Sequence, residues 1–233
     1  MTDLDCRLQP ILAGLTRVSL VDWPGRVASV VFTRGCNFRC PWCQNPDLVN
    51  GHPGEGVAVA AVLDYLAARR KVLDGLVVTG GEPTLWPELP AFLELVREKT
   101  GLPVRLDTNG SRPDVVRALL REGLIGHLAV DYKVPFEAYV ALVGARDPDA
   151  VRETLTAGLA TGCAVVRTTV VPGLHTPALL QRMIDELPGL TADGHRLQPF
   201  RPGTCLDPAY NGMEAGCPEE IKRLKSMLRY GNR

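Results

Sequence analysis

Cys36, Cys40 and Cys43 fall within the eight-residue segment CNFRCPWC, 36–43. Three thiols at C-x₃-C-x₂-C spacing on one loop can turn toward a common centre, and a soft metal suits them. A structural zinc ion wants four ligands, and His52 could supply the fourth. A cubane of four irons held by three cysteines keeps one iron open for chemistry. Spacing alone leaves both readings standing. Cys6, Cys163, Cys205 and Cys217 have no close ligand spacing. Cys163 opens a β-rich run and reads as a small core residue, and Cys205 and Cys217 read as plain thiols. Seven cysteines with no secretory pattern argue for metal or redox chemistry over a disulfide framework.

Three further segments hold residues suited to chemistry. In TGGEP, 79–83, Gly80 and Gly81 let the backbone approach a ligand closely, and Glu82 offers a carboxylate to a cationic group. The bland reading is a tight turn with a surface Glu. LDTNG, 106–110, and VDYK, 130–133, end neighbouring predicted strands in Asp107 and Asp131. Two carboxylates facing one site need a positive charge, from Lys133, a bound cation or a ligand amine. Against this, Asp107 or Asn109 could form an Asx-turn and Asp131 a helix cap. Arg167 lies inside the apolar run VVRTTVVPG, where a buried charge must meet a carboxylate or a ligand. His127, His175 and His195 show no ligand spacing and read as structural.

These residues need a frame. Short β-rich runs occur at 27–32, 76–79, 103–107, 127–131, 164–171 and 195–200. Helical patterns lie between them. Leu89, Phe92, Leu93 and Val96 share one helical face, and Gly101 stands where that helix should end. Pro113 starts another helix with Val115, Val116, Leu119 and Leu120 as its stripe and Gly123 beyond it. A terminal helix is expected in CPEEIKRLKSML, with Ile221, Leu224 and Leu228 inward, while GLTRVSLVDWPG reads as a short β-turn lead-in. Strand and helix alternating about six times predict parallel strands joined by crossovers. The expected fold is therefore α/β, an open partial (β/α)6 barrel, with a doubly wound sheet as the alternative. It is expected as one domain over 1–233. In such folds chemistry gathers at the carboxyl ends of strands, where the segments above lie.

Composition removes other classes. Basic and acidic residues number 26 each, and no charged block appears, so no nucleic-acid partner is expected. No apolar run is long enough to span a bilayer, and MTDLDCRLQP carries no signal pattern. A cytoplasmic protein is expected.

The cysteine spacing, with Trp42 before the last cysteine and GGE following, resembles the radical S-adenosylmethionine superfamily. VDWPGRVASVVFTRGCNFRCPWCQNPDL, with TGGEPTL, LDTNG, DYK, RTTVVPG and QPFRPG, is similar to the glycyl-radical-enzyme activases. The wording is nearest the short anaerobic ribonucleoside-triphosphate reductase activating proteins. The resemblance implies that Cys36, Cys40 and Cys43 hold one 4Fe–4S cluster. The open iron would take the amino and carboxylate groups of S-adenosylmethionine, whose cleavage yields a 5′-deoxyadenosyl radical. Gly80, Gly81 and Glu82 would meet the methionine amino group, and Trp42 would lie by the adenine. Asn109 and Arg167 would serve the ribose and carboxylate side. Asp107, Thr108 and Asp131 match positions that hold a monovalent cation in pyruvate formate-lyase activase, with Lys133 as the protein's own alternative charge. Residues 44–56 leave no room for a second-cluster module, so electrons are expected from a flavodoxin or ferredoxin. The substrate would be a glycine of a partner glycyl-radical enzyme, entering near Trp42, Glu82 and Arg201. A small molecule or peptide substrate is the runner-up. DWPG stands where the formate-lyase activases have DGPG, which leaves partner choice open.

Overall fold

A computed structural model describes residues 12–51 and 56–231. Cys6, His52 and the segment MTDLDCRLQP lie outside the described residues. Seven strands form one sheet in sequence order. They are β1 Leu12–Ser19, β2 Ala28–Thr33, β3 Gly75–Gly80, β4 Val104–Thr108, β5 His127–Asp131, β6 Ala164–Val170 and β7 His195–Pro199. Pairing is parallel at β2–β3, β3–β4 and β6–β7. Helices fill the crossovers, as the alternation predicts. They are α1 Pro46–Asn50, α2 Val59–Arg69, α3 Leu89–Thr100, α4 Pro113–Arg121, α5 Tyr139–Val143, α6 Pro148–Thr161, α7 Pro177–Asp185 and the terminal α8 Pro218–Met227. Among the described residues no helix is long and apolar enough to cross a membrane.

By packing, the chain divides into two compact units. The first is Met1–Cys36, Asp47–Thr108 and Asp114–Leu128; the second is Asn37–Pro46, Asn109–Pro113 and Ala129–Arg233. In the first unit β2 and β3 are buried almost throughout, as central parallel strands covered on both faces must be. Helix α3 buries Leu89, Phe92, Leu93 and Val96 and ends on Gly101 at φ 67°. The expected stripe of α4 is narrower than its sequence suggests: Val116 and Leu119 are buried, while Val115 and Leu120 are half-buried.

The lead-in is strand first and turn second. Residues 14–19 belong to β1, antiparallel to β2 with register shifts at Leu12/Gly14 and Thr16/Ser19, and Arg26 N–H then closes a turn on the Trp23 carbonyl at 3.0 Å. Trp23 of DWPG then folds inward, 5% exposed, onto Ala28, Val30 and Val77. A Cβ on Gly75 would come 2.5 Å from the Trp23 ring, so Gly75 is the space into which the indole fits. His127 meets the same ring edge-on at 4.8 Å. Trp23 is therefore a packing residue.

In the second unit β7 is tied to the chain's end. His195 is fully buried. Thr168 Oγ1 donates to the Tyr132 carbonyl at 2.7 Å, so it accepts from His195 Nε2–H at 3.0 Å. Nδ1 then accepts from the Tyr230 hydroxyl at 3.1 Å. Helix α8 buries Ile221 and Leu224, with Leu228 buried as its C-cap. Burial pushes the His195 imidazole down to about 4, and the Lys225 charge adds to it. An unfolded histidine titrates near ~6.5, so between these values the unfolded chain binds a proton that the folded chain does not. Stability is full above that window and falls as pH drops through it. Between about pH 7.5 and 5 the loss should be about 2 kcal/mol. Urea unfolding of wild type and His195→Gln at both pH values checks this, because the Gln variant should lack that increment. Equal slopes in the two proteins would refute it.

Candidate active site

Cys36 belongs to the first unit, immediately beyond β2. The segment before it is held by β3. Gly81 N–H donates to the Thr33 carbonyl at 2.9 Å, and Glu82 N–H to the Gly35 carbonyl at 2.8 Å. Gly35 N–H donates in turn to the Leu48 carbonyl in α1 at 2.7 Å. This approach is possible only for glycine. A Cβ on Gly80 would lie 2.2 Å from the Thr33 nitrogen, and one on Gly81 would lie 1.9 Å from the Gly35 oxygen. The sequence suggests glycines that make way for a ligand. In the structure they make way for the chain that leads into Cys36.

Glu82 is not a surface residue. It is 1% exposed, and its Oε1 accepts from Thr84 N–H at 3.1 Å, Thr84 Oγ1 at 2.5 Å and Thr108 Oγ1 at 2.7 Å. Thr108 thus enters as a support for Glu82. Asp107, also buried, accepts from Arg105 Nε at 2.7 Å. Residues two apart on a strand share a face, so VRLD carried the signal for this pair. Arg105 was overlooked in the sequence because it reads as one more strand residue.

The second unit holds Cys40, Trp42 and Cys43. Asn37 opens its share of the loop and is tied by a closed ring of side chains. Asn109 Nδ2 donates to Asn37 Oδ1 at 2.9 Å, Asn37 Nδ2 to Ser111 Oγ at 2.9 Å, and Ser111 N–H to Asn109 Oδ1 at 2.9 Å. Asn109 is therefore a brace for the cysteine loop. Arg39 N–H donates to the Val143 carbonyl at 2.8 Å, and Cys43 N–H closes a turn on the Cys40 carbonyl at 3.0 Å. From the far side, Leu206 N–H donates to the Cys43 carbonyl and Asp207 N–H to that of Pro41, both at 2.9 Å. Gln44 Nε2 donates to the Arg201 carbonyl. Trp42 is 5% exposed, with His175 and Tyr210 against its ring at 6.1 and 6.2 Å.

Asp131, Lys133 and Arg167 are brought together. Lys133 Nζ lies 3.1 Å from Asp131 Oδ2, and Arg167 approaches Oδ1 through Nη2 at 2.8 Å and Nε at 2.9 Å. Burial alone would raise the Asp131 carboxyl, but the Arg167 and Lys133 charges outweigh it and hold it down to about 2. Burial works against the Lys133 ammonium too. Asp131 and then Cys40 overcome it, so Lys133 stays charged. Arg167 thus meets a carboxylate, as its place in an apolar strand requires. Each aspartate has a protein cation within its own unit.

The thiols suit a metal in chemistry. Cys40 is buried, and Cys36 and Cys43 are half-buried. Among the described residues, no three His, Cys, Asp or Glu side chains are already gathered as a metal site. Cys205 is buried and Cys217 exposed. Cys163 is not core: it sits half-exposed before β6, 2.9 Å from Thr161 Oγ1.

A protein of Methanocaldococcus jannaschii, provisionally described as a glycyl-radical enzyme activating enzyme, is 34% identical over 145 residues, 60% of this chain and 57% of that one. The 7-carboxy-7-deazaguanine synthase of Aquifex aeolicus is 36% identical over 83 residues, 35% and 36% of the two chains. The pyruvate formate-lyase-activating enzyme of Clostridium pasteurianum is 37% identical over 98 residues, 40% of each chain. The matches thus span from 36% to 57% of these relatives' lengths. The crystal structure of Streptococcus suis SuiB bound to S-adenosylmethionine shares the fold, with a TM-score of 0.60 at 15% identity over 82% of this chain and 44% of that one. The Radical SAM superfamily model matches residues 30–187. The chain belongs to the radical S-adenosylmethionine superfamily, whose members use a 4Fe–4S cluster and S-adenosylmethionine.

Proposed function

We propose that the chain is a glycyl-radical-enzyme activase, with an anaerobic ribonucleotide reductase as its partner. The observation that carries the activase reading is the 34% identity over 145 residues to the Methanocaldococcus jannaschii protein; the choice of ribonucleotide reductase rests on the sequence resemblance alone. Cys36, Cys40 and Cys43 are proposed as the cluster's only protein ligands. When bound, the cluster supplies the electron that cleaves S-adenosylmethionine. Glu82, held in place by Thr84 and Thr108, serves the ligand's amino group with the Gly80–Gly81 turn. Trp42 serves the adenine. Asn109 and Arg167 serve its ribose and carboxylate side, and Asp107, Thr108 and Asp131 hold a monovalent cation beside the ligand carboxylate, with Lys133 as the protein's own alternative charge. A flavodoxin or ferredoxin supplies electrons, and the protein works in the cytoplasm without nucleic acid.

A glycine suits this chemistry. It has no side chain to clash, and its Cα–H can be threaded to about 3–3.5 Å from the attacking atom. The Aquifex aeolicus relative, named for a small-molecule product, favours a second reading with a small substrate. One experiment separates the two: electron paramagnetic resonance on reduced enzyme, S-adenosylmethionine and a candidate glycyl-radical enzyme. The expected result is a doublet that vanishes when the partner's glycine becomes Ala. No doublet with any candidate, together with stoichiometric consumption of S-adenosylmethionine by a small molecule, would establish the second reading.

A further inference from the structure

His175 shows no ligand spacing in the sequence, yet three segments of the second unit meet at it. It is 5% exposed. Its Nδ1 accepts from the Val171 N–H at 3.0 Å, and its Nε2 lies 2.8 Å from the Lys133 carbonyl oxygen. An amide N–H only donates and a carbonyl only accepts, so the ring is neutral with its proton on Nε2. Burial lowers its pKa and favours the same state. The Trp42 ring stands perpendicular to it, centroids 6.1 Å apart at 88°.

Both ring nitrogens are thus committed to backbone, and none remains for a metal or a moving proton. The imidazole instead fixes what surrounds it. Lys133 reaches Asp131, and Asp131 holds Arg167 on β6. Val171 directly follows that strand. Trp42 directly precedes Cys43. One rigid ring therefore sets the Lys133 turn, the end of β6 and the face of Trp42.

We infer that His175 is a positioning residue for S-adenosylmethionine binding that acts through the bond from its Nε2–H to the Lys133 carbonyl, with its ring packed beside Trp42. This rests on the proposed function only in taking Lys133 and Trp42 as ligand-facing. Three variants divide the two bonds. His175→Gln reaches toward the Lys133 carbonyl with an amide N–H and gives up Val171. His175→Asn keeps an acceptor for Val171 and gives up Lys133. His175→Phe keeps a ring against Trp42 and loses both bonds.

The first measurement is amide hydrogen exchange on the cofactor-free protein. Exchange at Lys133 and Val134 should quicken by about tenfold, the factor one lost hydrogen bond carries, in the Phe and Asn variants and return in Gln. Val171 should be protected only in wild type and Asn. The second measurement is kinetic, on cluster-reconstituted enzyme. The KM for S-adenosylmethionine should rise about tenfold in Phe and Asn, with kcat kept and Gln near wild type. Unchanged Lys133 exchange in Phe, or no recovery in Gln, overturns the inference. So does an exchange pattern as expected with an unmoved KM, which would make His175 structural only. If Phe does not fold, Gln and Asn still separate the two bonds. A wild-type protein that cleaves no S-adenosylmethionine would instead sink the proposed function, and the exchange data would still judge the Lys133 contact.

Discussion

Replacing Cys36, Cys40 or Cys43 by Ala should reduce iron in anaerobically reconstituted protein to background and abolish S-adenosylmethionine cleavage. Three thiolates hold a cubane with no spare ligand, so losing one leaves two irons without protein ligands. The telling control is Cys205. Its neighbour Leu206 donates to the Cys43 carbonyl, so its backbone lies beside the cysteine loop. Burial and then the Cys43 charge push the Cys205 thiol up, and its position shows no ligand spacing with the three loop cysteines. Cys217 is exposed and donates through Sγ to Glu219. Iron and cleavage should therefore be unchanged in Cys205→Ala and Cys217→Ala. Retained cleavage in any of the first three variants would end the ligand assignment. Iron loss from Cys205→Ala would show that the cluster draws on a fourth thiol.

The sequence exposes the repeated architecture and conceals the bracing around the site. Strands β2 to β7 and the apolar face of α3 were legible because both are local patterns, an apolar run and a 3.6-residue stripe. Strand β1 was not. It holds exposed residues at 16–18 and breaks register twice, so its periodicity is poor, and its pairing with β2 is a long-range event. The ion pair at Arg167 was legible in kind, because an apolar strand cannot bury a lone charge. Which carboxylate answers it was not, since Asp131 stands 36 residues away. His175 was illegible for another reason. Its partners are the backbone of Val171 and Lys133, and backbone groups leave no mark in a sequence. The same holds for the segment at Leu206 and Asp207, which is bonded to the Cys43 and Pro41 carbonyls.

Gly81→Ala should destabilise even the cofactor-free protein, by about 2–4 kcal/mol. The added methyl would lie 1.9 Å from the Gly35 oxygen and 2.6 Å from its carbonyl carbon, and backbone cannot swing aside as a side chain can. If Gly35 shifts, the 2.8 Å bond from Glu82 N–H to its oxygen is lost, and so is the 2.7 Å bond from its own N–H to Leu48. Cys36 is the next residue, so the displacement passes straight to a proposed ligand. Glu82→Gln is the contrast. An amide oxygen can still accept from Thr84 and Thr108, so this variant should fold with nearly wild-type stability and load iron normally. It removes the negative charge and turns one acceptor oxygen into an amide donor, and should weaken S-adenosylmethionine binding by tenfold or more, the order expected of a charge-assisted bond. Urea unfolding of the cofactor-free proteins, followed by iron content and ligand binding after reconstitution, separates the two effects. A Gly81→Ala protein as stable as wild type but deficient in S-adenosylmethionine binding would return the glycines to the role of making room for a ligand. If stability falls with the substitution, the GGE turn is first a brace for the strand that delivers Cys36, and Glu82 is carried on that brace.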